Sequence, residues 1–337
     1  MHLEYYIIRD DPISTMILDL IRKKKAKLGV DVKMTYDDVG SKLSSAMKHQ
    51  LSESGVLHYP FMPVIFSSLT RESNYRNHRK TAVIDGEIGY VGGVNISDNY
   101  VNTKDSKLYW RAIHLRIYGE AVEVLQFHFL TTWDFVTKKS IEVKQSYFPE
   151  TNCKKDVAIQ IAASGPDTDW ANIMEAILTA INNEESYVYI TTPYFIPNEQ
   201  IVTALQIAAK IGVDVRLIIP KGSDNWVAES ATNSFLEPLL EAGVPIYRYS
   251  KGFVHAKTIV VDDMFFTIGT CSLDNRSFNI NFEINALIYD SKESKVLKPQ
   301  FIKAINDSES IDFELWKNRP RLDKLKESCS RLWAPLL

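Results

Sequence analysis

The sequence predicts an α/β fold built twice. One observation is a motif found in two places, His78-Arg79-Lys80-Thr81-Ala82-Val83-Ile84-Asp85 and His255-Ala256-Lys257-Thr258-Ile259-Val260-Val261-Asp262, each reading H-x-K-x-x-x-x-D. A second is the small-residue stretch that follows each copy at the same offset, Gly92-Gly93-Val94-Asn95 and Gly269-Thr270-Cys271-Ser272. The third is the alternation of strand-like and helix-like segments leading up to each copy. Self-similarity in matching contexts marks a duplicated unit, and strands alternating with helices imply a parallel or mixed sheet.

The elements follow in order. Residues 5–8 (Tyr-Tyr-Ile-Ile) read as a buried strand, and Ile13, Met16, Ile17, Leu20 and Ile21 then recur at helical spacing. Lys23, Lys24, Lys25 and Lys27 suit a helix C-terminus, with Gly29 as the stop. That lysine run reads as a solvated last turn, with anionic-lipid contact as the alternative. Residues 30–34 form a strand, 41–54 a helix ending at Gly55, and 56–59 another strand. The second half repeats this with a strand at 187–190, a helix at 199–210, and Gly212-Val213-Asp214-Val215 matching Gly29-Val30-Asp31-Val32. It also opens with a strand at 157–161 and a helix near 170–182 that have no counterpart in the first half. Matching the repeats therefore makes the chain look N-terminally short. The polar stretch 138–156, after a helix at 121–135, is the expected boundary between halves 1–150 and 151–337. The apolar end, from Arg331 to Leu337, reads as core packing rather than membrane contact.

Hydrophobic residues make up 45% of the 337 and charged ones 24%, the balance of a globular protein. A formal net charge of -3 gives no global attraction for nucleic acid, so none is expected as a partner. Cys153, Cys271 and Cys329 are widely spaced without any Cys-x-x-Cys, so neither a disulfide framework nor a zinc site is implied. No apolar run reaches the roughly 18 residues of a membrane span, so any membrane contact by this chain is expected to be peripheral.

Along an extended strand, residues two apart share a face. His78 thus presents with Lys80, and His255 with Lys257. A histidine beside a fixed cation suits phosphoryl chemistry, in which charge on the equatorial oxygens must be stabilised. The two lysines, Asn95 and the hydroxyls near Ser272 could supply that. Two histidines allow a division of labour, one attacking phosphorus and the other passing a proton to the leaving alcohol. Asp85 and Asp262 lie an odd number of residues from their lysines and read as turn or structural carboxylates within the motif.

These two motifs, with Thr192-Pro193-Tyr194-Phe195-Ile196-Pro197, Asp274-Asn275-Arg276-Ser277-Phe278 and Asn281-Phe282-Glu283, resemble the phospholipase D superfamily, and within it the bacterial cardiolipin synthases. The similarity runs over nearly the whole chain. It implies two phospholipase D-like α/β sandwich halves about a pseudo-twofold with one active site between them. The implied reaction joins two phosphatidylglycerol molecules into cardiolipin with release of glycerol, without metal or other cofactor, at the cytoplasmic membrane. In the family pattern His78 matches the nucleophile and His255 the acid and base. Lys80, Lys257 and Asn95 match phosphate-binding positions, and Asp85 and Asp262 complete the catalytic motifs. Ser272 stands where Asn is commoner, and Glu283 matches a carboxylate that orients a catalytic histidine.

One departure bears on mechanism. Trp110-Arg111-Ala112-Ile113-His114 resembles a segment that usually reads W-R-D-x-H, so Ala112 replaces a carboxylate expected to support His78. Hydrolysis with water as acceptor, a nuclease, and a truncated lipid-binding relative without turnover are the competing readings. An exposed face on the first half would favour self-association.

Overall fold

The computed structural model describes residues 1–63, 74–104, 106, 108–153, 157–223 and 225–337. In the first half the order is β1 (His2–Tyr5), α1 (Pro12–Leu28), β2 (Lys33–Asp37), α2 (Ser45–Glu53), β3 (Leu57–Phe61), β4 (Lys80–Ile84), β5 (Ile88–Gly92), β6 (Tyr109–Arg111), β7 (His114–Tyr118) and α3 (Ala121–Thr137). The second runs β8 (Ala158–Ser164), α4 (Asn172–Asn182), β9 (Tyr187–Thr191), β10 (Phe195–Ile196), α5 (Glu199–Lys210), β11 (Asp214–Pro220), α6 (Trp226–Glu241), β12 (Ile246–Tyr249), β13 (Gly252–Val254), β14 (Thr258–Val261), β15 (Phe265–Gly269), β16 (Leu273–Asp274), α7 (Asn275–Asn279), β17 (Glu283–Tyr289) and α8 (Ser291–Asn306). A tail of β18 (Ser308–Ser310), α9 (Phe313–Lys317) and α10 (Arg321–Arg331) completes it.

Both halves obey one topology. The six-stranded sheet is ordered β3-β2-β1-β4-β5-β7, and the eight-stranded sheet contains the same series as β12-β11-β9-β14-β15-β17. In each, the first three strands run parallel and the motif strand returns antiparallel, so the sheets are mixed, as the element order predicts. The larger sheet adds β18 at one edge and β8 at the other. β8 and α4 have no equivalents in the smaller sheet, which ends at β7.

Local chemistry explains the element bounds. Asp11 caps α1 by accepting from the Ser14 N–H, and Gly29 ends the helix in the left-handed region, the conformation glycine adopts without a Cβ penalty. Asn198 and Asn225 cap α5 and α6 in the same way. The first strand lies three residues before its expected place. Residues 6–8 make only isolated contacts in place of a strand: the Tyr6 carbonyl accepts from the Ser41 hydroxyl, and Ile8 forms a single parallel bridge with Ile96. The expected 30–34 strand is likewise displaced, to β2. Residues 154–156 of the expected boundary lie outside the described residues.

The sheets pack face to face through β5 against β15 and β17, with Val83, Val91 and Ile117 meeting Ile268, Ile284 and Ala286. Each buried Val or Ile side chain among these contributes roughly 1.5–3 kcal/mol relative to exposure. That apolar contact fixes the two motif strands relative to each other. In the tail, α10 packs on α6, and Arg319 pairs with Glu237 at 2.7 Å and Glu327 at 2.6 Å. Leu332 and Trp333 remain exposed, whereas the Leu337 carbonyl accepts from the Arg276 N–H at the start of α7. Among the described residues, no helix is long and apolar enough to cross a membrane.

Candidate active site

The motif histidines precede their strands. Asn77 leaves the six-stranded sheet to bridge Phe282 of the other half, and the His78 N–H donates to the Phe282 carbonyl at 3.0 Å. The second copy mirrors this. β13 pairs in parallel with β6, ending at Val254 opposite Arg111, and the His255 N–H donates to the Arg111 carbonyl at 2.8 Å. Each histidine is therefore mounted across the interface on a strand of the opposite half. Behind His78, Asp37 accepts from the Asn77 N–H, and the Asn77 amide donates to Glu4 at 2.6 Å. These long-range bonds explain why an extended backbone with no local sheet partner holds its place.

His78, His255, Asn95 and Ser272 line one cavity of about 400 Å³ between the halves. A larger groove of about 990 Å³ between α3 and α4 contains neither motif histidine. Lys80 and Lys257 stand beneath the cavity, each donating its ammonium to the carbonyl of its own histidine, at 2.5 and 3.0 Å. Both lysines bear on the charge state of both histidines. Burial, reinforced by Lys80 and then Lys257, holds His78 well below the ordinary imidazole range. Burial and the same lysines in reverse order do so for His255. Both shifts favour the neutral rings. A bound phosphodiester anion acts in the opposite direction on each.

The two rings are held differently, and this corrects the expectation for Ala112. The Nδ1 of His78 meets both carboxylate oxygens of the fully buried Glu283, at 2.8 and 3.0 Å. His78 therefore has its carboxylate, supplied from the second half. By the register just described, Glu283 follows Phe282 as Ala112 follows Arg111, so Ala112 occupies the equivalent place beside His255. The Nδ1 of His255 instead lies 2.9 Å from the Gly93 carbonyl. A carbonyl only accepts, so Nδ1 carries the proton and the Nε2 lone pair is free. Burial pushes Glu283 up to about 7, partly offset by Lys80. Asn281 donates to its Oε1 at 3.2 Å.

The structure does not bring Asp85 and Asp262 to the cavity. Both follow the motif strands in the left-handed region, at φ 55° and 54°. Asp262 accepts from the N–H groups of Glu185, Ser186 and Tyr187, tying the turn to the start of β9. Asp85 is exposed. Asn95 is engaged at both ends of its amide, accepting from the Ile7 N–H at 3.1 Å and donating to the Tyr100 hydroxyl at 2.7 Å.

Sequence reasoning gave no role to the aromatic walls. Tyr6 lies edge-on to His78, with ring centroids 4.8 Å apart, and Tyr100 is edge-on to His255 at 5.5 Å. Trp110 packs against His255 at 5.6 Å. Arg76 and Arg276 also line the cavity. Signals existed for three of these residues: Arg76 stands beside the first motif, and Trp110 and Arg276 lie within segments that carry the resemblance.

Residues 177–305 match the family model described as cardiolipin synthase, PLD-like domain. Over 100% of its length the chain is 43% identical to a cardiolipin synthase of Halalkalibacterium halodurans, of which it spans 67%. It is 40% identical to cardiolipin synthase 2 of Staphylococcus epidermidis, again over its full length and spanning 69% of that protein. Among solved structures, phosphatidylserine synthase of Haemophilus influenzae aligns with a TM-score of 0.73 at 15% identity, over 100% of this chain and 90% of that one, a likeness of fold.

Proposed function

This chain belongs to the cardiolipin synthase family and is a phosphatidyltransferase, and we propose that it joins two phosphatidylglycerol molecules into cardiolipin through a phosphohistidine intermediate. The observation that carries the reading is the pair of histidines on opposite halves of one cavity, each with its motif lysine bonded to its own carbonyl. The His78 Nε2 lone pair attacks phosphorus, while Glu283 holds the Nδ1 proton and offsets the charge that develops on the ring. Binding of the phosphodiester anion favours the imidazolium of His255, which then carries protons on both Nδ1 and Nε2. As the P–N bond forms, the P–O bond to the headgroup glycerol breaks, and the alcohol leaves with the His255 Nε2 proton, returning that ring to the neutral form. The headgroup hydroxyl of a second phosphatidylglycerol then enters and gives its proton to His255. Its oxygen displaces His78, releasing cardiolipin. Lys80 and Lys257 stabilise charge on the equatorial phosphate oxygens, and the buried Ser272 and Asn95 line the same pocket. Residues 1–150 and 151–337 are proposed as the two units, with Asp85 and Asp262 as turn carboxylates of their motif strands.

Phosphatidylglycerol in detergent micelles tests this, with cardiolipin, phosphatidic acid and glycerol followed for the parent, His78→Ala and His255→Ala. Cardiolipin and glycerol from the parent alone are expected. Phosphatidic acid in place of cardiolipin would make water the acceptor, and no product from the parent would refute the transferase reading of this chain.

A further inference from the structure

The cavity is small for its proposed substrates. At about 400 Å³ it sits near the lower end of the range that encloses a drug-sized ligand. Two headgroups and their phosphates fit that scale, whereas the acyl chains of two lipids must remain outside, in the bilayer from which the lipids come. The surface around the cleft mouth therefore has to meet a membrane.

That surface carries apolar side chains that the fold leaves uncovered. On the first-half lip, Met16 is 61% exposed and Leu108 48%. Together with Val101 they line a shallow concavity whose floor includes Trp110, and Trp110 also lines the histidine cavity. The apolar patch and the catalytic cleft are thus one continuous surface. On the second-half lip, Trp226 is 72% exposed at the first position of α6, between Asn225 and Ala228, which line the cleft. An exposed tryptophan suits the membrane–water interface, where its ring sits at headgroup depth.

Charge continues the pattern. In α1 the row Met16, Leu20, Lys24, Leu28 follows i+4 spacing, with Lys23 and Lys27 beside it. The helix carries five basic residues against the single acidic Asp19. Apolar groups near the mouth, followed along one helix by exposed lysines, match a bilayer with an anionic surface. A protein partner would not call for that ordering beside the opening from which acyl chains must emerge.

We propose that the two lips of the cleft, with Met16, Leu20, Leu108 and Trp226 as apolar contacts and Lys23, Lys24 and Lys27 as the basic flank, form the surface by which this protein docks on an anionic lipid bilayer. The inference rests on the transferase reading for its substrate, but docking itself requires no chemistry.

Its test uses the full chain, phosphatidylglycerol vesicles and phosphatidylcholine vesicles. Three proteins are compared: the parent, Met16→Asp/Leu108→Asp, and Lys23→Glu/Lys24→Glu/Lys27→Glu. The parent is expected to co-sediment with phosphatidylglycerol vesicles and to release from them as salt rises. Each variant is expected to bind at least about tenfold more weakly while retaining parental hydrolysis of a soluble diester, bis(4-nitrophenyl) phosphate. Brominated lipid should quench the parent's fluorescence more than that of Trp226→Phe. A parent that pellets with neither vesicle, variants that bind as the parent does, or equal quenching of the two proteins would overturn the proposal. Vesicle binding lost only in the variants, with no turnover of lipid or soluble diester by the parent, would refute the transferase reading and uphold the docking surface.

Discussion

His78 and His255 occupy equivalent positions in the two halves and are supported unequally. Each ring follows a backbone that pairs with the opposite half, and each has a lysine bonded to its carbonyl. Backbone carbonyls at the matching positions Thr270 and Gly93 act on the two rings in the same sense. The difference is Glu283, which has no partner in Ala112. An imidazole held by a buried carboxylate is the better nucleophile, because the anion offsets the positive charge the ring acquires on forming a bond to phosphorus. One held only by a carbonyl has its tautomer fixed but gains less charge compensation, which suits a group that passes protons in both directions. On the proposed mechanism, the duplicated fold supplies two similar sites and Glu283 divides their labour.

The largest effect expected is from the histidines themselves. His78→Ala should lower transfer by about 10⁴-fold or more whatever the leaving group. His255→Ala should do so for glycerol release but recover much of the rate with a nitrophenyl ester, whose alcohol leaves without a proton. Stopped-flow release of nitrophenol from the two variants distinguishes them; equal losses would erase the division of labour. Glu283→Gln comes next, at about 10³- to 10⁴-fold, measured as kcat in micelles.

The pH profile carries the same comparison. Because burial raises Glu283 to about 7, the carboxylate is ionised and accepts the His78 Nδ1 proton above that pH. Below it the carboxyl is protonated and the negative charge that offsets the developing charge on the His78 ring is lost, so activity should fall on the acid side with an apparent pKa near 7. That limb should be absent from the residual activity of Glu283→Gln.

Gly93→Ala should cost less, about 10- to 100-fold. A Cβ there would lie 2.9 Å from the His255 carbonyl oxygen, so the ring and the Gly93 carbonyl must shift apart. Thr270, at the matching place in the second copy, already carries a side chain. The smallest effect expected is from Ala112→Asp. A carboxylate beside His255 favours the imidazolium, so its pKa should rise while turnover changes by no more than about threefold. Histidine titration by NMR reads that rise; an unmoved His255 would show that position 112 does not face it.

Much of this was legible before the structure, for identifiable reasons. The paired motifs, their glycine-rich sequels and the mixed sheet all follow from local spacing. The α1 cap at Asp11 and stop at Gly29 follow from turn chemistry. What could not be read was which histidine Glu283 serves, because that bond joins residues 205 positions apart through a bridge between halves. No periodicity encodes such a contact, so the sequence alone pairs position 112 with His78, whereas the carboxylate at His78 is Glu283. The strand expected at residues 5–8 failed for a related reason. Tyr6 and Ile8 are apolar because they wall the cleft and pack under α1, a burial that mimics the signature of a strand.

The most direct measurement of the central claim is to trap the intermediate. His255→Ala would be mixed with a nitrophenyl ester of phosphatidic acid, quenched at alkaline pH to preserve phosphohistidine, digested and sequenced by mass spectrometry. The account predicts a phosphatidyl adduct on His78 that disappears in His78→Ala and is weakened in Glu283→Gln. An adduct on His255 in the His78→Ala protein, with none on His78 in His255→Ala, would reverse the assignment and contradict the role given to Glu283.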